Sequence, residues 1–303
     1  MAYLQVHLLQ HDFKNPVIGS SGLFGYGREY EELFPLSKLG GLSTKATTLH
    51  KRNGNDGIRI TEAPSGVLFS VGLQNPGIDY YIHTELPNLL TKNTNILTNV
   101  AGSDIEEYVA IVEKLEETEA PIVELNISCP NVKLGGLALG ATCEATERVT
   151  STIRKRTKKP LTVKLTPHVG HIDEIAKAAE AAGADAISLI NSMSGMKIDL
   201  RTRRPLFRNN TAGFSGEALF PVALRMVWQV ARAVNIPVLG IGGVTSGENA
   251  LEMMMAGASA IQVGSAVLRD PVAPERIIHE MNEWLDTNNV SDVNEIIGCV
   301  RPW

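Results

Sequence analysis

Short β-branched runs and longer amphipathic stretches alternate along the whole chain. The runs at 16–20, 39–45, 95–100, 121–127, 161–166, 186–191, 237–241 and 260–264 are mostly apolar and bounded by turn residues. That is the pattern of strands buried on both faces. The stretches between them carry helical spacing. Ser103 with Glu106 forms a capping-box pattern before Ile105, Tyr108, Val109, Val112 and Leu115. Thr245 with Glu248 repeats it before Leu251, Met254 and Met255, and Gly257 is placed to end that helix. Ile172, Ile175, Ala176 and Ala179 form a third stripe closed by Gly183, and Ile277, Ile278, Met281, Trp284 and Leu285 form the last. Such stripes read as core-facing surfaces.

Strand–helix alternation implies a parallel sheet, and eight strands are the number that closes a barrel. At 303 residues the length alone suggests two domains. No Ser/Gly/Pro-rich linker divides the chain, however, so we expect an α/β chain, one (β/α)8 TIM barrel over residues 1–303. Its active site should lie at the C-terminal ends of the strands. Two connections, 47–93 and 192–216, are long for simple strand–helix loops and read as site loops.

Composition narrows the function classes. With Lys+Arg 28 against Asp+Glu 33, the net charge of −5 argues against a nucleic-acid partner. The 3 cysteines, at 129, 143 and 299, are too few and too scattered for a disulfide framework or zinc ribbon. The N-terminus lacks the segments of a signal peptide, and the longest nearly apolar stretch, 253–268, falls short of the roughly 20 residues a membrane span needs. A cytoplasmic protein without a membrane is the expectation.

The predicted strand ends gather polar groups on one face. They bring Ser20-Ser21-Gly22, Lys45-Ala46, Asn99, Asn126, Lys164, Asn191-Ser192, Gly242-Gly243 and Gly264-Ser265 together. Glycine turns after the last two strands suit a phosphate held by backbone N–H groups. No G-x-G-x-x-G opens a strand–helix unit, so no nicotinamide dinucleotide site is expected. Lys45 and Lys164 stand in apolar strands and need an anion, either a structural carboxylate such as Glu124 or a ligand such as a flavin. Cys129 follows a strand end and precedes Pro130. With an ordinary thiol pKa of about 8.5 it can serve as a base, or as a nucleophile, although no histidine motif accompanies it. His168 and His171 lack the further ligands of a metal site, and none is expected.

Asn126-Ile127-Ser128-Cys129-Pro130-Asn131-Val132-Lys133-Leu134-Gly135-Gly136 resembles the dihydroorotate dehydrogenases, in particular class 1B, the FMN-containing catalytic subunit. Phe24 to Tyr30, Lys45 to Leu49, Gly72 to Gly77, Asn99 to Ser103 and Pro221 to Arg225 extend the resemblance along the chain. It implies oxidation of dihydroorotate to orotate in pyrimidine biosynthesis, with Cys129 taking the C5 proton while the C6 hydride passes to FMN. Electrons would go to NAD through a partner subunit carrying FAD and a 2Fe–2S cluster, and the chain would form a homodimer. The run after Cys129-Pro130-Asn131 separates it from the fumarate-reducing class 1A. A serine at 129 would mark the membrane-associated class.

By the same resemblance, substrate contacts fall on Lys45, Phe69, Ser70, Val71, Gly72, Leu73, Asn126, Asn131, Asn191 and Ser192. FMN contacts fall on Ser21, Lys45, Ala46, Asn99, Asn126, Lys164, Ile190, Gly216, Gly242, Gly243, Gly264 and Ser265. One position departs from the family pattern: Phe69 stands where an Asn would contact substrate. That change opens a second expectation, a paralogue acting on another dihydropyrimidine such as dihydrouracil. A third is a barrel that binds a phosphorylated ligand without redox chemistry.

Overall fold

The computed structural model describes residues 2–128 and 139–303. All eight predicted runs form strands: β1 Val17–Gly19, β2 Gly41–Ser43, β3 Asn95–Val100, β4 Ile122–Asn126, β5 Leu161–Lys164, β6 Ala186–Leu189, β7 Val238–Ile241 and β8 Ala260–Val263. Each pairs in parallel with its sequence neighbours, and β8 pairs with β1, which closes the barrel. The fold is therefore the (β/α)8 barrel that the alternation implies. The strands are buried along their length because helices pack outside them and side chains fill the interior.

The four amphipathic stripes fall on α1 Ile105–Glu116, α3 Ile172–Ala181, α5 Gly247–Met255 and α6 Ala273–Thr287, and two further helices, α2 Cys143–Arg154 and α4 Phe220–Ala231, join them. Most predicted core positions are buried, Tyr108, Val112 and Leu115 on α1, Ile172, Ile175, Ala176 and Ala179 on α3, and Ile277, Met281 and Leu285 on α6, while Ile105, Val109, Ile278 and Trp284 are only partly buried against the core. Both predicted caps are one residue out of place. Asp104, not Ser103, accepts the Glu107 amide at 2.8 Å, and Glu107 reaches back to the Ser103 amide at 2.7 Å. Ser246, not Thr245, accepts the Asn249 amide at 3.2 Å, and Asn249 rather than Glu248 accepts from the Thr245 amide and hydroxyl. In each case two adjacent residues can both cap, and the one in extended backbone beside the first turn does so.

The N-terminal hairpin Val6–Leu8 with His11–Phe13 lies against the N-terminal strand ends, where Asn95 donates to the Asp12 carbonyl. The opposite end of the barrel carries an element the pattern did not suggest. The two long connections fold into one antiparallel sheet, in the order Met193–Gly195, Ala212–Ser215, Gly66–Phe69, Ile60–Ala63. Among the described residues, no helix is long and apolar enough to cross a membrane.

Candidate active site

The barrel interior carries a polar layer built around one carboxylate. Glu124, on β4, is fully buried. Its Oε2 accepts from Ser43 Oγ at 2.5 Å and Asn99 Nδ2 at 2.6 Å. Its Oε1 accepts from Gln262 Nε2 at 2.7 Å and Ser188 Oγ at 2.9 Å. The four donors come from β2, β3, β8 and β6, so a single carboxylate ties five strands together across the barrel. Burial pushes this carboxyl up, but the Lys164 charge and the hydrogen bonds from Ser43, Asn99 and Gln262 outweigh it, holding it below the usual carboxylate range. The Lys164 charge thus favours the ionised form of Glu124. Lys164 Nζ also donates to Ser21 Oγ at 3.0 Å, at the end of β1, so the same ammonium faces the barrel mouth.

A chain of amides leads from this layer to the mouth. Asn126 Nδ2 donates to Asn99 Oδ1 at 3.3 Å, and Asn126 Oδ1 accepts from Ser128 Oγ at 2.8 Å. Asn191 Nδ2 donates to Ser128 Oγ at 2.9 Å, and Asn191 Oδ1 accepts the Ser192 amide at 2.7 Å. Tyr108 Oη, reaching in from α1, donates to the Asn126 carbonyl at 2.7 Å. Ser128 is the last residue described before the segment that holds Cys129 and Asn131. Those two predicted site residues lie outside the described residues.

Above the strand ends is a cavity of about 350 Å³. Its polar side presents Ser21, Lys45, Asn126, Lys164, Asn191, Ser192 and Ser265, and its apolar side includes Phe69, Val71, Leu73 and Ile190. Ala46, Gly72, Gly242, Gly243 and Gly264 complete the predicted residues found on its wall. Three others stand apart from it. Asn99 is buried behind the wall against Glu124. Ser70 is buried with its hydroxyl accepting from Asn55 and Asn209. Gly216 lines an adjoining recess of about 290 Å³ that shares Ile60, Val67, Ser265 and Leu268 with the cavity.

Sequence reasoning missed Leu23, Ile60, Val67, Ser215, Leu219, Ile241 and Leu268 on the wall. Ile60, Val67 and Ser215 arrive on the four-stranded sheet, whose pairing of Gly66–Phe69 with Ala212–Ser215 is too distant in sequence to leave a local signal. Ser43, Ser188 and Gln262, behind the wall, did leave one: each is a polar residue inside an apolar strand. Phe69 is half-buried at the end of its strand, paired with Gly213. Its ring edge comes within 3.2 Å of where a Cβ on Gly213 would sit.

The glycine turns serve two purposes. Gly243 has φ +72, and a Cβ there would lie 2.6 Å from the Phe220 amide nitrogen and 2.8 Å from the Gly216 carbonyl oxygen. The protein's own backbone therefore demands that glycine. A Cβ on Gly264 would meet nothing nearer than Ser20 at 3.4 Å, so the room it leaves belongs to the cavity. That room, beside Ser265 and with the Lys164 ammonium on the same wall, suits a planar anionic group such as a flavin nucleotide.

The dihydroorotate dehydrogenase family model matches residues 3–285. A protein of Bacteroides thetaiotaomicron named dihydroorotate dehydrogenase B (NAD(+)), catalytic subunit, is 48% identical over 302 residues, covering 99% of this chain and 100% of its own. The protein of the same name from Petrotoga mobilis is 48% identical over 296 residues, covering 98% and 99%. That from Brachyspira hyodysenteriae is 46% identical over 303 residues, covering 99% and 100%. None of these names supports the expectation of a paralogue for another dihydropyrimidine. With a closed barrel, a cavity at its C-terminal mouth and these relatives over its whole length, the chain belongs to the dihydroorotate dehydrogenase family.

Proposed function

We propose that this protein oxidises dihydroorotate to orotate as the FMN-containing catalytic subunit of a class 1B enzyme in pyrimidine biosynthesis. The observation that carries the reading is the convergence of Lys45, Asn126, Lys164, Asn191 and Ser192 on one cavity at the strand ends. Bound FMN would supply the acceptor for the hydride that leaves the substrate. The chain's own residues would do the rest. Lys164, charged and backed by Glu124, would favour negative charge on the flavin ring, and Ser21, Gly242, Gly243, Gly264 and Ser265 would hold the remainder of the cofactor, with Gly216 reaching it through the adjoining recess. Lys45, Asn126, Asn191 and Ser192 would orient the dihydropyrimidine ring by hydrogen bonds. Cys129 Sγ would take the proton from C5.

The relatives are named catalytic subunits of an NAD(+) enzyme, which supports a separate electron-transfer subunit. On this reading that subunit carries FAD and a 2Fe–2S cluster. Residues 1–303 form one FMN-binding domain, and the chain works as a cytoplasmic homodimer. The test is anaerobic mixing of the FMN-loaded protein with dihydroorotate in a stopped-flow spectrometer. Bleaching of the flavin band with formation of orotate is the expected result. A protein that takes up FMN but is not bleached by dihydroorotate would overturn the reading. One that takes up no FMN would favour a phosphate-binding barrel without redox chemistry.

A further inference from the structure

We propose that the recess beside Lys45 is the doorway of the site, a cationic vestibule in which Lys51 collects the carboxylate ligand before it passes Lys45 into the cavity. The inference rests on the reading that the site takes dihydroorotate and releases orotate, both of which are carboxylates. Two of the recesses that adjoin the cavity differ in charge. The one that shares Ile60, Val67, Ser265 and Leu268 with it carries Glu62 and Glu217 against Arg269. Arg269 lies 3.7 Å from Glu217, so its charge is already matched, and Ile60 and Leu268 expose apolar surface at the border. An anion gains nothing on that side.

The other recess, of about 630 Å³, shares Lys45 and Val71 with the cavity. Its wall carries Arg28, Lys45, Lys51 and Arg52 against Glu29 and Glu85, a positive excess in a chain whose net charge is −5. The pairing within it decides which cation is left to draw a ligand. Arg28 Nε donates to Oε2 of the buried Glu85 at 2.9 Å. Arg52 Nη2 donates to Ser103 Oγ at 2.5 Å and stands 3.7 Å from Glu107. Lys51 is exposed, and its ammonium enters no hydrogen bond or ion pair among the described residues. It is the charge that meets an anion at the solvent side, and Lys45 is the next one inward.

A charge at the edge of a site speeds the arrival of an oppositely charged ligand and has little hold on it once bound. A doorway has a second signature. Narrowing it slows entry and exit by the same factor, because both use one path, and leaves the affinity unchanged. A residue that only supports the fold does neither.

The test uses the FMN-loaded protein and orotate, with stopped-flow perturbation of the flavin spectrum giving association and dissociation rates apart from turnover. Lys51→Glu is expected to slow association about fivefold at low ionic strength, with dissociation within about twofold of wild type. The difference should close at about 1 M salt, where charges are screened within about 3 Å. Lys51→Arg should retain the wild-type rate. Lys158→Glu makes the same change of charge just before β5, at the opposite end of the barrel, and should leave association within about twofold. Asn53→Trp, at an exposed position on the recess wall, should slow association and dissociation alike. Wild-type association in Lys51→Glu, an equal loss in Lys158→Glu, or a loss carried in dissociation would overturn the inference and leave the proposed function intact. So would an Asn53→Trp protein that exchanges orotate at the wild-type rate. Wild-type protein that binds FMN but no orotate would overturn the proposed function and this inference with it.

Discussion

Replacing Gly243 with alanine tests whether the turn after β7 is shaped by the protein or by its ligand. At φ +72 an alanine sits in the left-handed region, at a cost of about 1–2 kcal/mol. Its Cβ would lie 2.6 Å from the Phe220 amide nitrogen and 2.8 Å from the Gly216 carbonyl oxygen. Both are backbone atoms, so neither can yield by changing rotamer. Displacing the start of α4 to make room adds about 1–3 kcal/mol, the usual range for overpacking. The total of about 2–5 kcal/mol corresponds to a fall in melting temperature of about 4–10 °C for a chain of this size, measured by circular dichroism.

Gly264→Ala is the companion measurement, because a Cβ there meets nothing nearer than 3.4 Å. Its melting temperature should fall less than that of Gly243→Ala. Its loss of FMN affinity, followed by fluorescence titration of the apoprotein, should be the larger of its two defects. A Gly243→Ala protein melting within about 1 °C of wild type would refute the packing argument. Normal FMN binding by Gly264→Ala would refute the claim that its space belongs to the ligand.

Lys164→Met removes the charge that holds the Glu124 carboxyl down and should cost about 3–5 kcal/mol at neutral pH, measured by urea unfolding. The pH dependence should also invert. In the wild type the lowered carboxyl contributes stability above the ordinary carboxylate range, and loses it as pH falls through the lowered value. In the variant burial raises the carboxyl instead, so stability should drop as pH rises through that range. A variant with the wild-type profile would show that the hydrogen bonds from Ser43, Asn99 and Gln262, not Lys164, hold the carboxyl down. Asp104→Ala should cost about 1 kcal/mol through loss of the α1 cap, whereas Ser103→Ala should cost less; equal losses by thermal unfolding would contradict the assignment. Phe69→Asn should lower the KM for dihydroorotate by about an order of magnitude by adding a hydrogen-bonding amide to the apolar wall; an unchanged KM would mean that the amides already present suffice. Cys129→Ala should slow flavin reduction and abolish its rise toward alkaline pH; a retained alkaline rise would remove Cys129 as the base.

The barrel was legible because strands buried on both faces must be apolar throughout, and Gly, Pro or Asn mark where each one ends. Lys45 and Lys164 were legible for the converse reason: a lysine in such a strand demands an anion nearby. The caps were displaced by one residue because Ser103-Asp104 and Thr245-Ser246 each offer two competent capping side chains in succession. The sheet across the mouth was illegible for a different reason. The segment Ile60–Ala63, Pro64-Ser65, Gly66–Phe69 has the local form of a hairpin, but its other partner, Ala212–Ser215, belongs to a distant connection. Hydrophobic period does not encode which of two separated segments will pair. Glu124 was visible as a lone carboxylate in an apolar run, while the convergence of Ser43, Asn99, Ser188 and Gln262 on it emerged only when the strands closed around it.

The sheet over the mouth also orders events in time. Its inner pair joins Gly66–Phe69 to Ala212–Ser215, and Gly264 and Ser265 come later still. During synthesis the N-terminal part of the chain emerges first and waits for those partners. A ribosome-bound chain that has exposed the Lys45, Asn126 and Lys164 strands still lacks one wall of the cavity and the last glycine turn. The cavity is therefore complete only once residue 268 has been made, and a chain released earlier would lack that wall even though most of its lining had already been synthesised.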